Sequence, residues 1–199
     1  MAVSHLDSAQ RSALLRRGLT LEYLTLGWNV VGVIVLAIAA IRAGSVALAG
    51  FGLDSLVEIG ASTVVVWQLT NSGGTRERTA MHLIGGGFIA IAIYVAAQAA
   101  FILAAGGRPA ASPAGMAWTA ITCAVMLALA FGKMGTGAAL DHPVLKAEGR
   151  VTLVDAYLAC AVLLGLVLNA ALGLWWADPL AGLVIVFYGL KEGWQALHE

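Results

Sequence analysis

Residues 45–68 read SVALAGFGLDSLVEIGASTVVVWQ, a stretch long and apolar enough to cross a bilayer as one helix. Asp54 and Glu58 lie near its centre, and their spacing of four residues places both side chains on one helix face. A carboxylate at membrane depth costs about 2.5–3.5 kcal/mol even on the most lenient insertion scale. The pair is therefore either held neutral by hydrogen-bonding neighbours or shared with a cation. We favour a cation site, because acids inside membranes usually mark ion or proton pathways.

The composition indicates that the whole chain is an integral membrane protein. Of its 199 residues, 60% are hydrophobic and only 11% are charged, whereas soluble domains contain about 25% charged residues. The formal net charge of zero argues against nucleic-acid binding. No nucleophile–base pair or His-Glu-x-x-His motif is present, so we expect neither an enzyme nor an organic cofactor. The two cysteines, Cys123 and Cys160, lie in apolar runs and are expected to be free thiols.

Six apolar runs predict an all-α integral membrane protein built as a six-helix transmembrane bundle. After a polar N-terminal segment at residues 1–20, the predicted spans cover about residues 21–41, 45–69, 80–104, 114–132, 144–172 and 179–197. A polar link at Asn71–Thr79 joins the second and third spans. We expect residues 21–199 to form the transmembrane domain, with no C-terminal soluble domain. Asp178 and Pro179 are the predicted N-cap and first helical residue of the sixth span.

The basic residues predict the orientation of the bundle. With a cytoplasmic N-terminus, nine of the eleven lysines and arginines lie on the cytoplasmic side, as the positive-inside rule requires. They are Arg11, Arg16, Arg17, Arg76, Arg78, Lys133, Lys146, Arg150 and Lys191. Six spans then place the C-terminus in the cytoplasm as well. We expect a multi-pass protein of the cell (plasma or inner) membrane.

A third acid, Asp155, lies well inside the fifth span. Counted from the cytoplasmic end, it is about ten residues deep, which is roughly 15 Å along a helix. Glu58 has a similar depth in the second span, and Asp54 lies one turn further out. Antiparallel second and fifth helices would therefore present the three carboxylates at one level. Three such groups cannot all be ionised unless a cation shares the site, so a divalent metal entering and protons replacing it form a natural exchange.

Other polar residues of the spans are weaker candidates. Glu148 lies two helical turns before Asp155 on nearly the same face, so it is either an accessory ligand or a side chain that reaches water. Asn29 is a second accessory candidate that could line the path, although such residues more often bridge helices. Glu22, at the edge of the first span, is expected to be solvated. All four histidines lie at span ends or in tails and are not expected to bind the transported ion.

At these residues the chain resembles the membrane domain of the cation diffusion facilitator (cation efflux) family. The resemblance rests on SVALAGFGLDSLVEIGAS at 45–62, LDHPVLKAEGRVTLVDAYLACAVLLGLVLN at 140–169 and WWADPLAGLVIVFYGLKEG at 175–193. It implies a six-helix, homodimeric, proton-coupled exporter of divalent transition metals. It also implies that Asp54, Glu58 and Asp155 are metal ligands, and that Glu148 matches an acidic residue common before the span-five pair.

Two departures from the family pattern change what the resemblance implies. Val151 stands where a histidine ligand is expected, and Glu58 stands where an aspartate is usual. An all-oxygen site tilts the preference from zinc towards manganese or iron, although zinc also accepts carboxylates and water. Without a soluble domain, a homodimer would rely on membrane contacts such as Gly189 and Gly193 or the span-three glycines.

The expected function is export of a divalent cation of the zinc, manganese, iron or cobalt class in exchange for protons. Water or a polar neighbour would complete the metal's coordination. The expected partners are the metal ion, protons, membrane lipid and a second copy of the chain. The alternative is a degenerate protein of the same fold that binds a metal or a partner protein without transporting anything.

Overall fold

The structure, a computed structural model, describes residues 8–70 and 77–198, which form six α-helices and no strand. The helices are α1 (Ser8–Ala43), α2 (Val46–Thr70), α3 (Glu77–Ala105), α4 (Pro113–Ala139), α5 (Pro143–Leu172) and α6 (Ala177–His198). The prediction of an all-α protein is confirmed. Residues 1–7 of the predicted N-terminal segment, residues 71–76 of the predicted link and residue 199 lie outside the described residues.

The helices have the length and surface of membrane spans. Five of the six described helices are long and apolar enough to cross a membrane; the described part of α6, which carries Lys191 and Glu192, does not meet that criterion. Large apolar side chains such as Ile41, Phe101 and Leu172 are exposed, as expected where lipid replaces water as the solvent. The chain is a multi-pass membrane protein.

Helix α2 lies at the centre of the bundle. It packs against α1, α3, α5 and α6, while α4 packs against α1 and α5, and α3 packs against α6. The largest buried apolar cluster joins α1, α2, α5 and α6 through Leu36, Phe51, Leu158 and Ile185. The acidic pair of α2 therefore lies between helices on every side rather than facing lipid.

Helices α1 and α4 each bury a narrow stripe that contains polar residues. Their stripe residues recur every three or four positions, which is the spacing of one helix face. In α1 they include Glu22, Thr25, Asn29, Gly32 and Leu36, and in α4 Thr119, Thr122, Met126, Ala130, Lys133 and Gly137. Helix α1 begins earlier and α4 ends later than the predicted spans, so Glu22 and Lys133 lie inside helices.

Asp178 stabilises the start of α2 rather than the start of its own helix. Its carboxylate accepts hydrogen bonds from the Ser45 hydroxyl and from the backbone N–H of Val46 at 3.0 Å and of Ala47 at 3.4 Å. These amides belong to the first turn of α2, where a helix has no internal partners for its N–H groups. The prediction of a self-capping Asp178 is wrong, because α6 begins at Ala177 and the carboxylate points to α2.

Helices α4 and α5 form the closest hairpin of the bundle. A methyl group on Gly137 would come within 2.7 Å of the Lys146 backbone nitrogen, and one on Gly149 within 2.8 Å of the Met134 nitrogen. A disulfide joins Cys123 of α4 to Cys160 of α5, so the prediction of free thiols is wrong. The two cysteines are 37 residues apart in the sequence. Only the antiparallel packing of two long helices brings them together, and the sequence does not show that packing.

Gly189 and Gly193, two of the glycines that were expected to support a homodimer, pack inside the bundle instead. A methyl group on Gly189 would meet the Phe88 carbonyl oxygen at 3.3 Å, and one on Gly193 would meet the Gly85 carbonyl oxygen at 2.9 Å. Both neighbours belong to α3 of the same chain. These residues therefore hold α6 against α3 and are not available as a dimer contact.

We expect Gly193→Ala to destabilise the protein by about 1–3 kcal/mol, the usual penalty for overpacking. The added methyl group has no room beside the α3 backbone. Thermal unfolding in detergent measures the effect. Gly27→Ala in α1 is the matched control, because nothing lies within 4 Å of its added methyl group and alanine is the better helix former. Equal melting temperatures for the two variants would contradict this packing.

Candidate metal site

The polar faces of α2 and α5 meet in antiparallel register. At one level the Asp54 carboxyl of α2 interacts with that of Asp155 in α5. One turn along, the Glu58 carboxylate accepts a hydrogen bond from the Thr152 hydroxyl at 3.0 Å. One turn further, the Ser62 hydroxyl donates to Glu148 at 3.1 Å. Successive polar side chains of α2, four residues apart, thus each find a partner on one face of α5.

A small cavity lies where the two helices carry their acids. Its free volume is about 10 Å³, which is room for one water-sized species. The lining combines the three predicted ligands with side chains of α3, α5 and α6. It consists of Asp54, Glu58, Phe88, Val151, Val154, Asp155, Leu158, Tyr188, Gly189 and Glu192. The structure therefore brings Asp54, Glu58 and Asp155 to the same cavity, with Val151 on the wall where a histidine would have offered nitrogen.

Asp155 is the acid whose environment most needs a further partner. It is only 2% exposed, and its carboxylate oxygens have no hydrogen-bond partner among the described residues other than the Asp54 carboxyl. Buried polar groups without partners are rare in proteins and usually mark a functional position or a missing ion or water. Asp54 and Glu58 are also buried. With Glu192, four acids line one cavity inside an apolar bundle.

The carboxylates do not form a ready metal cage as they stand. Within residues 8–70 and 77–198, no three His, Cys, Asp or Glu side chains are arranged so that they could hold a metal ion. Asp54, Glu58 and Asp155 all line the cavity but do not surround a common point in it. Carboxylate and water oxygens then suit hard divalent ions such as manganese.

A second buried polar cluster lies next to this cavity, centred on Lys133 of α4. The lysine is fully buried, and its ammonium lies 2.7 and 2.6 Å from the two oxygens of Glu148 and 3.1 Å from Glu22. The cluster therefore joins α1, α4 and α5. A buried ammonium needs such partners, because desolvation of an unpaired charge in a protein interior costs several kcal/mol.

Thr152 connects the two polar clusters. Its hydroxyl oxygen accepts a hydrogen bond from Lys133 at 3.1 Å and donates one to Glu58 at 3.0 Å. Three residues on one face of α5 therefore have different partners. Glu148 pairs with Lys133, Thr152 bridges the two clusters, and Asp155 lines the cavity. A continuous chain of polar contacts runs from Glu22 through Lys133 and Thr152 to the Glu58 carboxylate of α2.

The accessory candidates have other partners. Glu148 is bound to Lys133 and Ser62 and is not among the cavity-lining residues. Asn29 is 2% exposed, and its amide donates to the Thr25 carbonyl oxygen of its own helix at 3.1 Å. The prediction that Glu22 is solvated is wrong, because it is fully buried against Lys133.

Sequence reasoning missed Lys133, Thr152 and Glu192 as neighbours of the site. Lys133 was assigned to the cytoplasmic end of the fourth span, yet its spacing from Met126 and Ala130 places it on the buried face of α4. Thr152 follows Glu148 by four residues, a spacing that places both side chains on the same face of α5 and could have been used to find Thr152. Glu192 lines the cavity from α6 and acts electrostatically on Asp54. Only the packing of α6 against α2 reveals that role.

Comparison with known families places this geometry in context. The sequence profile of the cation efflux transmembrane domain matches residues 23–199 of the chain. The match begins inside α1 and runs through all five later helices, and it confirms the resemblance seen in spans two, five and six. No curated protein matched the chain.

Proposed function

The chain belongs to the cation efflux family of metal cation transporters, and from that premise we propose that it exports a divalent transition-metal cation from the cytoplasm in exchange for protons. Members of the family are transporters rather than enzymes. We place the transported ion in the cavity between α2 and α5, with Asp54, Glu58 and Asp155 as its ligands. Both termini would lie in the cytoplasm, and the protein would reside in the cell (plasma or inner) membrane.

The observation that carries the proposal is the buried carboxylate of Asp155 on the wall of a cavity that Asp54 and Glu58 also line, where its one hydrogen-bond partner among the described residues is another acid, Asp54. Three ionised acids in one apolar bundle repel each other strongly unless positive charge is shared among them. A divalent cation and protons both meet that need, and each would displace the other. The site would therefore exchange a metal ion for protons, because both neutralise the same carboxylates.

The chemistry of the donors guides the choice of ion. All three acids offer oxygen, and Val151 leaves no nitrogen donor on that wall. Manganese and iron(II) suit such a set better than zinc does, although the preference is modest. The cavity's free volume of about 10 Å³ holds one water-sized species, so side chains would have to move before water could complete the coordination beside the ion.

Flux measurements in liposomes test the function. The purified protein is reconstituted with an imposed pH gradient, and uptake of manganese, iron(II), cobalt and zinc is followed with a fluorescent indicator. We expect metal uptake that depends on the gradient and is absent in Asp155→Asn. No flux above that variant for any of the four metals would contradict transport. Metal binding without flux would favour the alternative, a non-transporting member of the same fold. The homodimer is a separate prediction, which analytical sedimentation can test.

Glu192 provides a finer test of where the ion lies. We expect Glu192→Gln to weaken manganese binding by about 3–10-fold, equal to roughly 0.7–1.4 kcal/mol, because it removes one negative charge from the cavity wall. Isothermal titration calorimetry measures the change. Lys191→Gln is the control, since Lys191 lies 3.8 Å from the Glu192 carboxylate and is half exposed. Equal weakening by both variants would trace the effect to that ion pair rather than to the cavity.

A further inference from the structure

We infer that Thr152 is a positioning residue of the metal site, which fixes the Glu58 carboxylate by linking it to the buried ammonium of Lys133. The inference rests on the proposed function, because it concerns how one of the proposed ligands is held. It adds α4, and through Glu22 also α1, to a site whose proposed ligands all come from α2 and α5.

The direction of the hydrogen bonds at Thr152 is determined by chemistry. A lysine ammonium can only donate, so the Thr152 oxygen must accept from Lys133 at 3.1 Å. The hydroxyl has a single hydrogen left to give. Its two acceptors are Glu58 at 3.0 Å and Glu148 at 3.4 Å, and the shorter distance favours Glu58. The threonine therefore directs its hydrogen at the proposed ligand.

The lysine end of this contact is held firmly. Glu148 places both of its oxygens on the ammonium, Glu22 approaches from α1, and all three side chains are buried. Gly149 permits this arrangement, since an added methyl group there would come within 3.0 Å of the Lys133 side chain. Thr152 itself is fully buried and β-branched, so few rotamers are open to it. A rigid anchor results.

Glu58 is the ligand that most needs such an anchor. A glutamate side chain has one more rotatable bond than an aspartate, and ordering it costs more conformational entropy. One oxygen of Glu58 is engaged by Thr152, which leaves the other for an ion in the cavity. Partners of metal ligands that do not touch the metal typically contribute 10–100-fold to metal affinity. We assign that role to Thr152.

The test compares Thr152→Val with Thr152→Ser in manganese binding, measured by electron paramagnetic resonance on the full chain in detergent. Valine keeps the shape and removes the hydroxyl, so we expect about 10-fold weaker binding. Serine keeps the hydroxyl, and we expect binding within about twofold of the unaltered protein. Unchanged affinity in Thr152→Val would overturn the inference while leaving the proposed function intact. Absence of manganese binding in the unaltered protein would instead overturn the proposed function.

A double-mutant cycle separates positioning from general stability. Glu58→Asp shortens the side chain, so its carboxylate no longer reaches Thr152. We therefore expect Thr152→Val to weaken manganese binding in the native background and to have no further effect beside Glu58→Asp. Equal effects in the two backgrounds would show that the threonine acts through the fold alone and would overturn the inference. The cycle uses affinities of folded protein only, with circular dichroism as the check on folding.

Discussion

Asp155→Asn is expected to reduce manganese affinity by at least about 100-fold, since even residues outside the ligand set contribute 10–100-fold. The variant removes the charge of a cavity acid whose oxygens have no hydrogen-bond partner among the described residues other than the Asp54 carboxyl. The same variant should melt no lower than the unaltered protein. A neutral amide in place of a buried carboxylate relieves desolvation, so binding and stability should change independently. Calorimetric titration and thermal unfolding measure the two properties.

The matched control for this variant is Asp141→Asn. Asp141 is exposed in the turn between α4 and α5 and has a positive φ of 51°, which asparagine also tolerates. We expect it to bind manganese and to melt like the unaltered protein. Retention of full affinity in Asp155→Asn would remove Asp155 from the ligand set. A large loss of stability in Asp155→Asn would show that the acid supports the fold instead.

Lys133→Met is expected to destabilise the protein by roughly 3–5 kcal/mol, because it leaves the carboxylates of Glu148 and Glu22 buried without their counter-ion. For a chain of this size that corresponds to a melting temperature lower by about 10 °C. Methionine fills a similar volume, so the loss reports the charge rather than a cavity. Thermal unfolding in detergent measures it.

Two further variants identify the cause of that loss. Lys191→Met removes a lysine that is 49% exposed, and we expect little change because exposed ion pairs contribute about 0–1 kcal/mol. Adding Glu148→Gln to Lys133→Met should recover part of the stability, since it removes the stranded charge. A Lys133→Met protein that melts like the unaltered one would contradict the buried cluster.

The sequence was sufficient to predict three of the four acids that line the cavity. Asp54 and Glu58 share a helix face by their spacing, and counting depth along antiparallel spans placed Asp155 at their level. These arguments need only helix geometry and the cost of charge in a membrane. The match to the family covers residues 23–199, which include these stretches.

The sequence was not sufficient to predict how the neighbouring charges are satisfied. A lysine near the end of a span has the same appearance whether it faces water or a buried glutamate, so Lys133 was assigned to the membrane surface. Its partners depend on which helices are adjacent, and α1 packing against α4 is a tertiary fact. The same holds for Asp178, whose carboxylate belongs to the start of α2, and for the Cys123–Cys160 disulfide.

The most direct test of the account is the stoichiometry of manganese binding to the purified chain, measured by electron paramagnetic resonance. We predict one tightly bound manganese ion per chain in the unaltered protein and none in Asp155→Asn, with Asp141→Asn unchanged. Equal manganese binding by the unaltered protein and Asp155→Asn would contradict a metal site between α2 and α5.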